Sequence, residues 1–227
     1  MRVLMEDLFA KRDSQVLAAL RRGTVGIAGA GGLGSTVAVS LARAGVGRLI
    51  IADFDRIEAS NLNRQQYFIR QIGRLKVEAL RENLRGLNPF SEYTVHAVRV
   101  TRANVERLFS DAQILVEAFD KATAKRMLID RWLALHPDRP IVAASGVAGY
   151  GRNRKLRSRR MGNLYLCGDE ESEAPKGITP MAPRVGIVAN LQANLVVELL
   201  VEGKGRGRSA PFLRPPASHA RRRRRAG

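Results

Sequence analysis

The sequence predicts a doubly wound α/β fold, a mostly parallel sheet with an antiparallel C-terminal extension, and three observations carry that prediction. Thr24-Val25-Gly26-Ile27-Ala28 is an apolar run bounded by glycines, the pattern of a buried strand. A glycine cluster follows, then helical spacing at Val37, Ala38, Leu41 and Ala44, then a second apolar run at 48–52. Together these make one strand-turn-helix-strand unit of about 30 residues. The alternation then repeats down the chain, as it does when helices cover both faces of a parallel sheet.

Taken in order, Val16, Leu17 and Leu20 give the N-terminal segment helical spacing, and the first long helix runs over 35–44 and is closed by Gly45 and Gly47. Val77, Leu80, Leu84 and Leu87 predict a helix over 76–87 that stops at Asn88-Pro89, and alternation over 93–100 predicts a strand. Val105, Leu108 and Phe109 mark a short helix. A strand from Ile114 that Asp120 ends, a helix over 123–135 and a strand over 141–144 follow. Beyond Gly146 the pattern loosens into a stretch rich in glycine and arginine, with a strand at 163–166, an acidic loop at 169–173 and a long closing helix at 184–200. The organisation is one nucleotide-binding domain over 1–202 and a disordered basic tail over 203–227.

Composition narrows the class. The chain has 227 residues, 45% hydrophobic and 26% charged, enough to bury a core without cross-links and unlike a collagen-like or wholly disordered sequence. Its one cysteine, Cys167, excludes an internal disulfide framework and fits a reducing compartment. Residues 1–22 mix Glu6, Asp7, Lys11, Arg12 and Asp13 among apolar residues, unlike a secretory signal. No apolar stretch is read as reaching the length of about 18 that spans a bilayer, so the expected location is the cytoplasm, with no membrane partner. The net charge of +18 is unevenly placed: nine cations at 203–227 and six at 151–160 account for all but three of it. A tail of Gly, Pro, Ala and Arg cannot bury enough apolar surface to order itself. It reads as a solvated appendage or a sequence-independent polyanion contact, and no specific nucleic acid is expected.

Gly29-Ala30-Gly31-Gly32-Leu33-Gly34 lies between the first strand and the first long helix, the context that makes such a pattern a phosphate-binding loop. The glycines let the backbone approach phosphate oxygens, and the helix N-terminus attracts the anion. Asp53 falls 19 residues after Gly34, at the end of the second strand, where an acid can bond a ribose hydroxyl. These features alone fit NAD(P) and ATP equally. Downstream, Arg64 and Lys76 can reach the same crevice and Asp120 supplies a carboxylate; cations with a carboxylate suited to Mg²⁺ suit a triphosphate.

Gly29 to Ser35, Ala44-Gly45-Val46-Gly47 leading to Asp53-Phe54-Asp55, Ser60-Asn61-Leu62-Asn63-Arg64-Gln65-Gln66, and Ile72-Gly73 before Lys76-Val77-Glu78 together resemble the ThiF/MoeB/HesA family, prokaryotic relatives of ubiquitin-activating enzymes. The resemblance covers roughly residues 12–202 and implies a Rossmann-like fold. Glu117 to Asp120, Ala143 to Gly146, Tyr165 to Asp169 and Met181 to Gly186 resemble the short ThiF-like branch most.

The resemblance implies an enzyme that uses ATP and Mg²⁺ to adenylate the C-terminal glycine carboxylate of a ubiquitin-fold sulfur carrier, ThiS-like, in thiamin thiazole synthesis, and that works as a homodimer. By the same resemblance Gly29, Gly31, Gly32 and Gly34 hold phosphates and Asp53, beside Asp55, the ribose. Asn61, Arg64 and Lys76 contact the triphosphate, Asp120 binds Mg²⁺, and Arg12 reaches the partner protomer's ATP. The Cys-x-x-Cys pairs that hold zinc in many members are missing, so no structural zinc is expected. Cys167 reads either as a small core residue or as a thiol that links to the activated carrier. Carriers of the molybdopterin or cysteine pathways, or an NAD(P) oxidoreductase on the same fold, are the alternatives.

Overall fold

The computed structural model describes residues 4–172 and 180–203. Its seven strands are β1 (Thr24–Ala28), β2 (Arg48–Ala52), β3 (Glu92–His96), β4 (Ile114–Glu117), β5 (Ile141–Ser145), β6 (Arg157–Met161) and β7 (Leu164–Gly168). The helices are α1 (Met5–Phe9), α2 (Ser14–Arg21), α3 (Gly32–Ala44), α4 (Lys76–Leu87), α5 (Val105–Phe109), α6 (Ala122–Leu135) and α7 (Ala182–Val201). The strands form one sheet in the order β3-β2-β1-β4-β5-β7-β6. All pairs are parallel except β6 with β7, so the predicted fold class and its antiparallel extension both stand.

Alternation within the strands explains why both faces are covered. Val25 and Ile27, Leu49 and Ile51, and Ile114 and Val116 point into a core shared with α2, α3, α4 and α7. Ala28, Ile50 and Leu115 point the other way, against Val105, Leu108 and Phe109 of α5 and Leu128 and Trp132 of α6. Neighbouring side chains on a strand face opposite sides, so a run apolar at every position must be buried twice. The largest layer contact is α3 on α7, where Val37, Ala38 and Leu41 share one core with Val185, Val188, Ala189 and Val196.

Several boundaries differ from the sequence reading. The expected strand over 93–100 is shorter, at 92–96, and the one at 163–166 is shifted to 164–168. A strand, β6, occupies the basic stretch that carried no strand pattern: all five of its residues are exposed, so no apolar alternation is needed there. β4 ends at Glu117, which places Asp120 three residues beyond the strand rather than at its end. The acidic loop is described only as far as Ser172, and the tail from 204 on lies outside the described residues.

One helix among the described residues, α7, is long and apolar enough to cross a membrane by length and composition, against the expectation that none is. In the fold it packs on α3, α2, β5 and β7, and a helix buried on several sides needs the same composition.

The start of α7 is fixed by a buried ion pair. Arg184 donates to Asp169 at the end of β7, to Ser172 and to the carbonyl of Gly151, and the two charged side chains are 3% and 0% exposed. Burial opposes the Asp169 charge, but hydrogen bonds from Ser172 and Glu171 and the Arg184 guanidinium hold its carboxyl below the ordinary range. Removing one partner leaves the other charged and uncompensated. Arg184→Met is therefore expected to destabilise the fold by about 3–5 kcal/mol, read as a fall in melting temperature of roughly 10 °C. An unchanged melting temperature would show that water reaches Asp169.

Candidate functional site

Strand order reverses between β1 and β4, so the chain leaves the sheet in opposite directions on the two sides of that point. In open α/β sheets the resulting crevice, at the carboxyl ends of the strands, is where ligands bind. The register aligns those ends: Ala28 pairs with both Ala52 and Glu117. The next residues, Gly29, Asp53 and Ala118, therefore emerge side by side.

The glycine loop is held tightly by its surroundings. Gly29 has φ 104°, a conformation that side chains disfavour, and a Cβ there would stand 2.7 Å from the Ala118 carbonyl oxygen. The Ala30 N–H donates to Asp53 Oδ2 at 2.6 Å, and the other carboxylate oxygen accepts the Asp55 N–H at 2.7 Å. The Tyr67 hydroxyl donates to the Ala30 carbonyl at 2.7 Å from a buried position. Gly31 and Gly32 open α3, where the Ser35 and Thr36 hydroxyls bond back to their carbonyls. The N–H groups of Gly31 and Gly32 donate to no acceptor among the described residues, so this end of the helix offers bare donors.

The segment 59–66 wraps over the same helix start. Gln66 N–H donates to the Ser35 hydroxyl at 3.2 Å, and a Cβ on Gly32 would lie 3.5 Å from Arg64 Cγ. Arg64 itself donates to the Ser60 carbonyl and to Asn63, while Asn61 Oδ1 accepts the Glu58 N–H at 3.2 Å and closes that turn. Lys76 opens α4 with its side chain 8% exposed, its ammonium 3.0 Å from Asp55 Oδ2. Asp55 is thereby a link between the Asp53 carboxylate and the lysine. Phe119 lies against Gly29, and Asp120, next in the chain, is exposed.

Gly31, Gly32, Asp53, Asp55, Arg64 and Lys76 thus gather about one crevice, with Asn61 in the loop that delivers Arg64, while Gly29 and Gly34 are buried beneath it and pack against one another. Arg12 is elsewhere. Its guanidinium reaches the Arg43 carbonyl at 3.5 Å, at the far end of α3 from the loop, roughly 18 Å along a helix of that length. Within one chain it does not approach the crevice. Cys167 is fully buried in β7 within the main core, and burial pushes its thiol up to about 12. In this structure the side chain is placed as a core residue, not as an accessible thiolate.

Sequence reasoning missed three supports. Tyr67 directly follows the Arg64-Gln65-Gln66 motif, which was its only signal. The second is Glu117, fully buried, which accepts Lys125 at 2.9 Å and the Phe119 N–H at 2.6 Å, bracing the turn that carries Asp120. Burial raises the Glu117 carboxyl above its ordinary range despite Lys125. Gln192 of α7 completes the set by bridging the carbonyls of Glu117 and Val142.

A doubly wound sheet, a glycine loop opening a helix at the strand switch point and an acid ending the second strand define an α/β domain of the nucleotide-binding type. Within that class the chain belongs to the ThiF family, whose model matches residues 4–225.

Among its relatives is the adenylyltransferase and sulfurtransferase uba4 of Emericella nidulans, 32% identical over a 195-residue alignment that covers 80% of this chain and 40% of that protein. Another is the adenylyltransferase and sulfurtransferase MOCS3 of Aedes aegypti, 30% identical over 193 residues, 82% of this chain and 44% of that one. The chain spans less than half the length of these relatives.

Among solved structures, the E. coli tRNA N6-threonylcarbamoyladenosine dehydratase TcdA in complex with AMP matches with a TM-score of 0.78 at 20% identity, over 90% of this chain and 100% of that one. E. coli MccB with AMPCPP and MccA matches at 0.67 and 21%, over 88% and 64%. These two likenesses establish the fold.

Proposed function

We propose that this chain is the adenylating domain of an E1-like enzyme, activating the C-terminal carboxylate of a ubiquitin-fold carrier protein with ATP. The observation that carries the reading is the crevice itself: bare helix-start amides, a carboxylate at the ribose position and the Lys76 ammonium together. Relatives named adenylyltransferases support it, as does TcdA, whose structures contain AMP and ATP.

In this reading Gly29, Gly31, Gly32 and Gly34 form the phosphate cradle and Asp53, beside Asp55, takes the ribose. Asn61, Arg64 and Lys76 contact the triphosphate. A carrier carboxylate oxygen attacks the α-phosphorus, the bond from that phosphorus to the bridging oxygen breaks, and pyrophosphate leaves, giving a carrier acyl-adenylate. The nucleophile is already ionised, so the chain's work is positioning and charge neutralisation. Lys76 and Arg64 neutralise the departing pyrophosphate.

Mg²⁺ takes one or two protein carboxylates together with substrate phosphates, and the exposed Asp120 beside the glycine loop fits that need. No cluster of three or more His, Cys, Asp or Glu that would form an all-protein cage occurs among the described residues. When bound with ATP, the ion would supply charge compensation at the phosphates.

The finer reading is a ThiS-like carrier in thiamin thiazole synthesis, supported by the short-branch motifs at 117–120, 143–146, 165–169 and 181–186. It includes a homodimer in which Arg12 serves the neighbouring protomer's site, which is the one arrangement that gives Arg12 a path to ATP.

The test is exchange of labelled pyrophosphate into ATP, run with purified ThiS-like carriers and with the ubiquitin-fold carriers of the molybdopterin and cysteine pathways, each ending in Gly-Gly. Exchange that needs the carrier and vanishes when its last glycine is deleted is expected, and preference for ThiS would select the thiamin reading. No exchange with any carrier would overturn the activity. Lys76→Ala should slow the exchange by at least about tenfold, one lost electrostatic contact to developing charge costing up to about 10²–10³-fold. Wild-type exchange by that variant would remove Lys76 from the site.

A further inference from the structure

Ala30 is gripped on both sides, through the two successive peptide units Gly29–Ala30 and Ala30–Gly31, and each grip fixes a neighbour. Its N–H is held by Asp53 and its carbonyl oxygen by the Tyr67 hydroxyl, at 2.6 and 2.7 Å. No cis peptide bond occurs among the described residues, and in a trans unit the carbonyl and the following N–H point in opposite directions. Drawing the Ala30 carbonyl inward toward Tyr67 therefore turns the Gly31 N–H outward. That N–H donates to no protein acceptor among the described residues, and Gly31 is partly exposed at the helix start. The same rule applied to Asp53 turns the Gly29 carbonyl away toward α3, where a Cβ on Gly34 would lie 1.9 Å from it.

We infer that Tyr67 is a positioning residue for anion binding: its hydroxyl fixes the Ala30–Gly31 peptide so that the Gly31 amide faces the crevice and donates to a nucleotide phosphate. The inference rests on the proposed ATP reading and deepens it by naming what presets the cradle. Tyr67 is 7% exposed and touches the loop from beneath, so it acts through Gly31. Burial, with the Asp53 and Asp55 carboxylates nearby, pushes its phenol well above the ordinary range, and the hydroxyl stays a donor at every working pH. Without it the glycine loop is free to rotate that peptide, and the phosphate would have to order it on binding.

The test is Tyr67→Phe, which keeps the ring and removes one oxygen, measured as binding of ATP, AMP and adenosine to the full chain without carrier. ATP and AMP should bind about tenfold more weakly, the scale of one buried hydrogen bond left unmade, while adenosine binding stays within about twofold. In the unaltered protein, amide NMR should show the Gly31 signal shifting with ATP or inorganic pyrophosphate and not with adenosine, a readout independent of whether the variant folds. Undiminished ATP binding by Tyr67→Phe, equal losses for ATP and adenosine, or a Gly31 signal indifferent to pyrophosphate would overturn the inference and leave the ATP reading in place. An unaltered chain that binds neither ATP nor AMP would overturn both.

Discussion

Asp120→Ala is expected to cut carrier adenylation on the order of 10²–10³-fold, the range seen when one preorganised contact to developing charge is removed, while the melting temperature stays put. The two halves of that expectation have separate causes. Asp120 is exposed, beyond the end of β4, and surface substitutions away from caps and cores change stability by about 0.5 kcal/mol or less. Its proposed work is electrostatic, helping to hold Mg²⁺ against the phosphates as pyrophosphate departs. The loss should fall on turnover more than on the KM for the carrier, because the charge being compensated grows only as the reaction proceeds. Pyrophosphate exchange at saturating ATP and Mg²⁺ is the measurement. Near-normal exchange would take Asp120 out of the metal site, and a variant that also melts early would show that its role is structural.

The contrast between Asp120 and its support Glu117 shows where sequence reading reached and where it stopped. The strand-glycine-helix unit and the acid after the second strand were legible because each rests on local patterns: an apolar run, a glycine cluster, a fixed chain distance. Gly29, Asp53, Arg64 and Lys76 could be placed in one crevice for the same reason, since parallel strands deliver their carboxyl ends to one edge. The braces were not legible. Glu117 in an apolar strand looks like an error until Lys125 arrives from the next helix at 2.9 Å, and Tyr67 looks like a core aromatic until its hydroxyl is seen at the Ala30 carbonyl. Both are contacts between segments whose spacing carries no period. β6 escaped for the opposite reason, because an edge strand with every side chain exposed is held by backbone pairing to β7 and by surface contacts such as Arg159 with Glu170 and Arg160 over the Tyr165 ring, none of which needs apolar alternation. Cys167 could not be decided from its neighbours in sequence, whereas its complete burial in β7 decides its surroundings.

Gly34→Ala should abolish nucleotide binding, because the space for its methyl group is already occupied by backbone. A Cβ at that position would sit 1.9 Å from the Gly29 carbonyl oxygen, 2.8 Å from its carbonyl carbon and 3.3 Å from Ala118 Cβ. No rotamer relieves a clash with main chain. Either the glycine loop lifts away from α3 or the helix start shifts, and both moves pull Ala30 off Asp53 and Tyr67 and turn the Gly31 amide out of place.

The loss in ATP affinity should exceed about 100-fold, since several phosphate contacts go together and charge-assisted bonds are worth about 1.5–3 kcal/mol each. Stability should fall by about 1–3 kcal/mol, the cost of overpacking. Gly86→Ala is the matched control. Gly86 lies in the exposed part of α4 with nothing within 4 Å of its added Cβ, and removing a helix-interior glycine there should raise stability by about 0.5–1 kcal/mol without touching ATP binding. Equilibrium dialysis with ATP and thermal melts of the two variants read both effects. An intact affinity in Gly34→Ala would mean that phosphates are not bound at this helix start, and the crevice would lose its claim to the nucleotide.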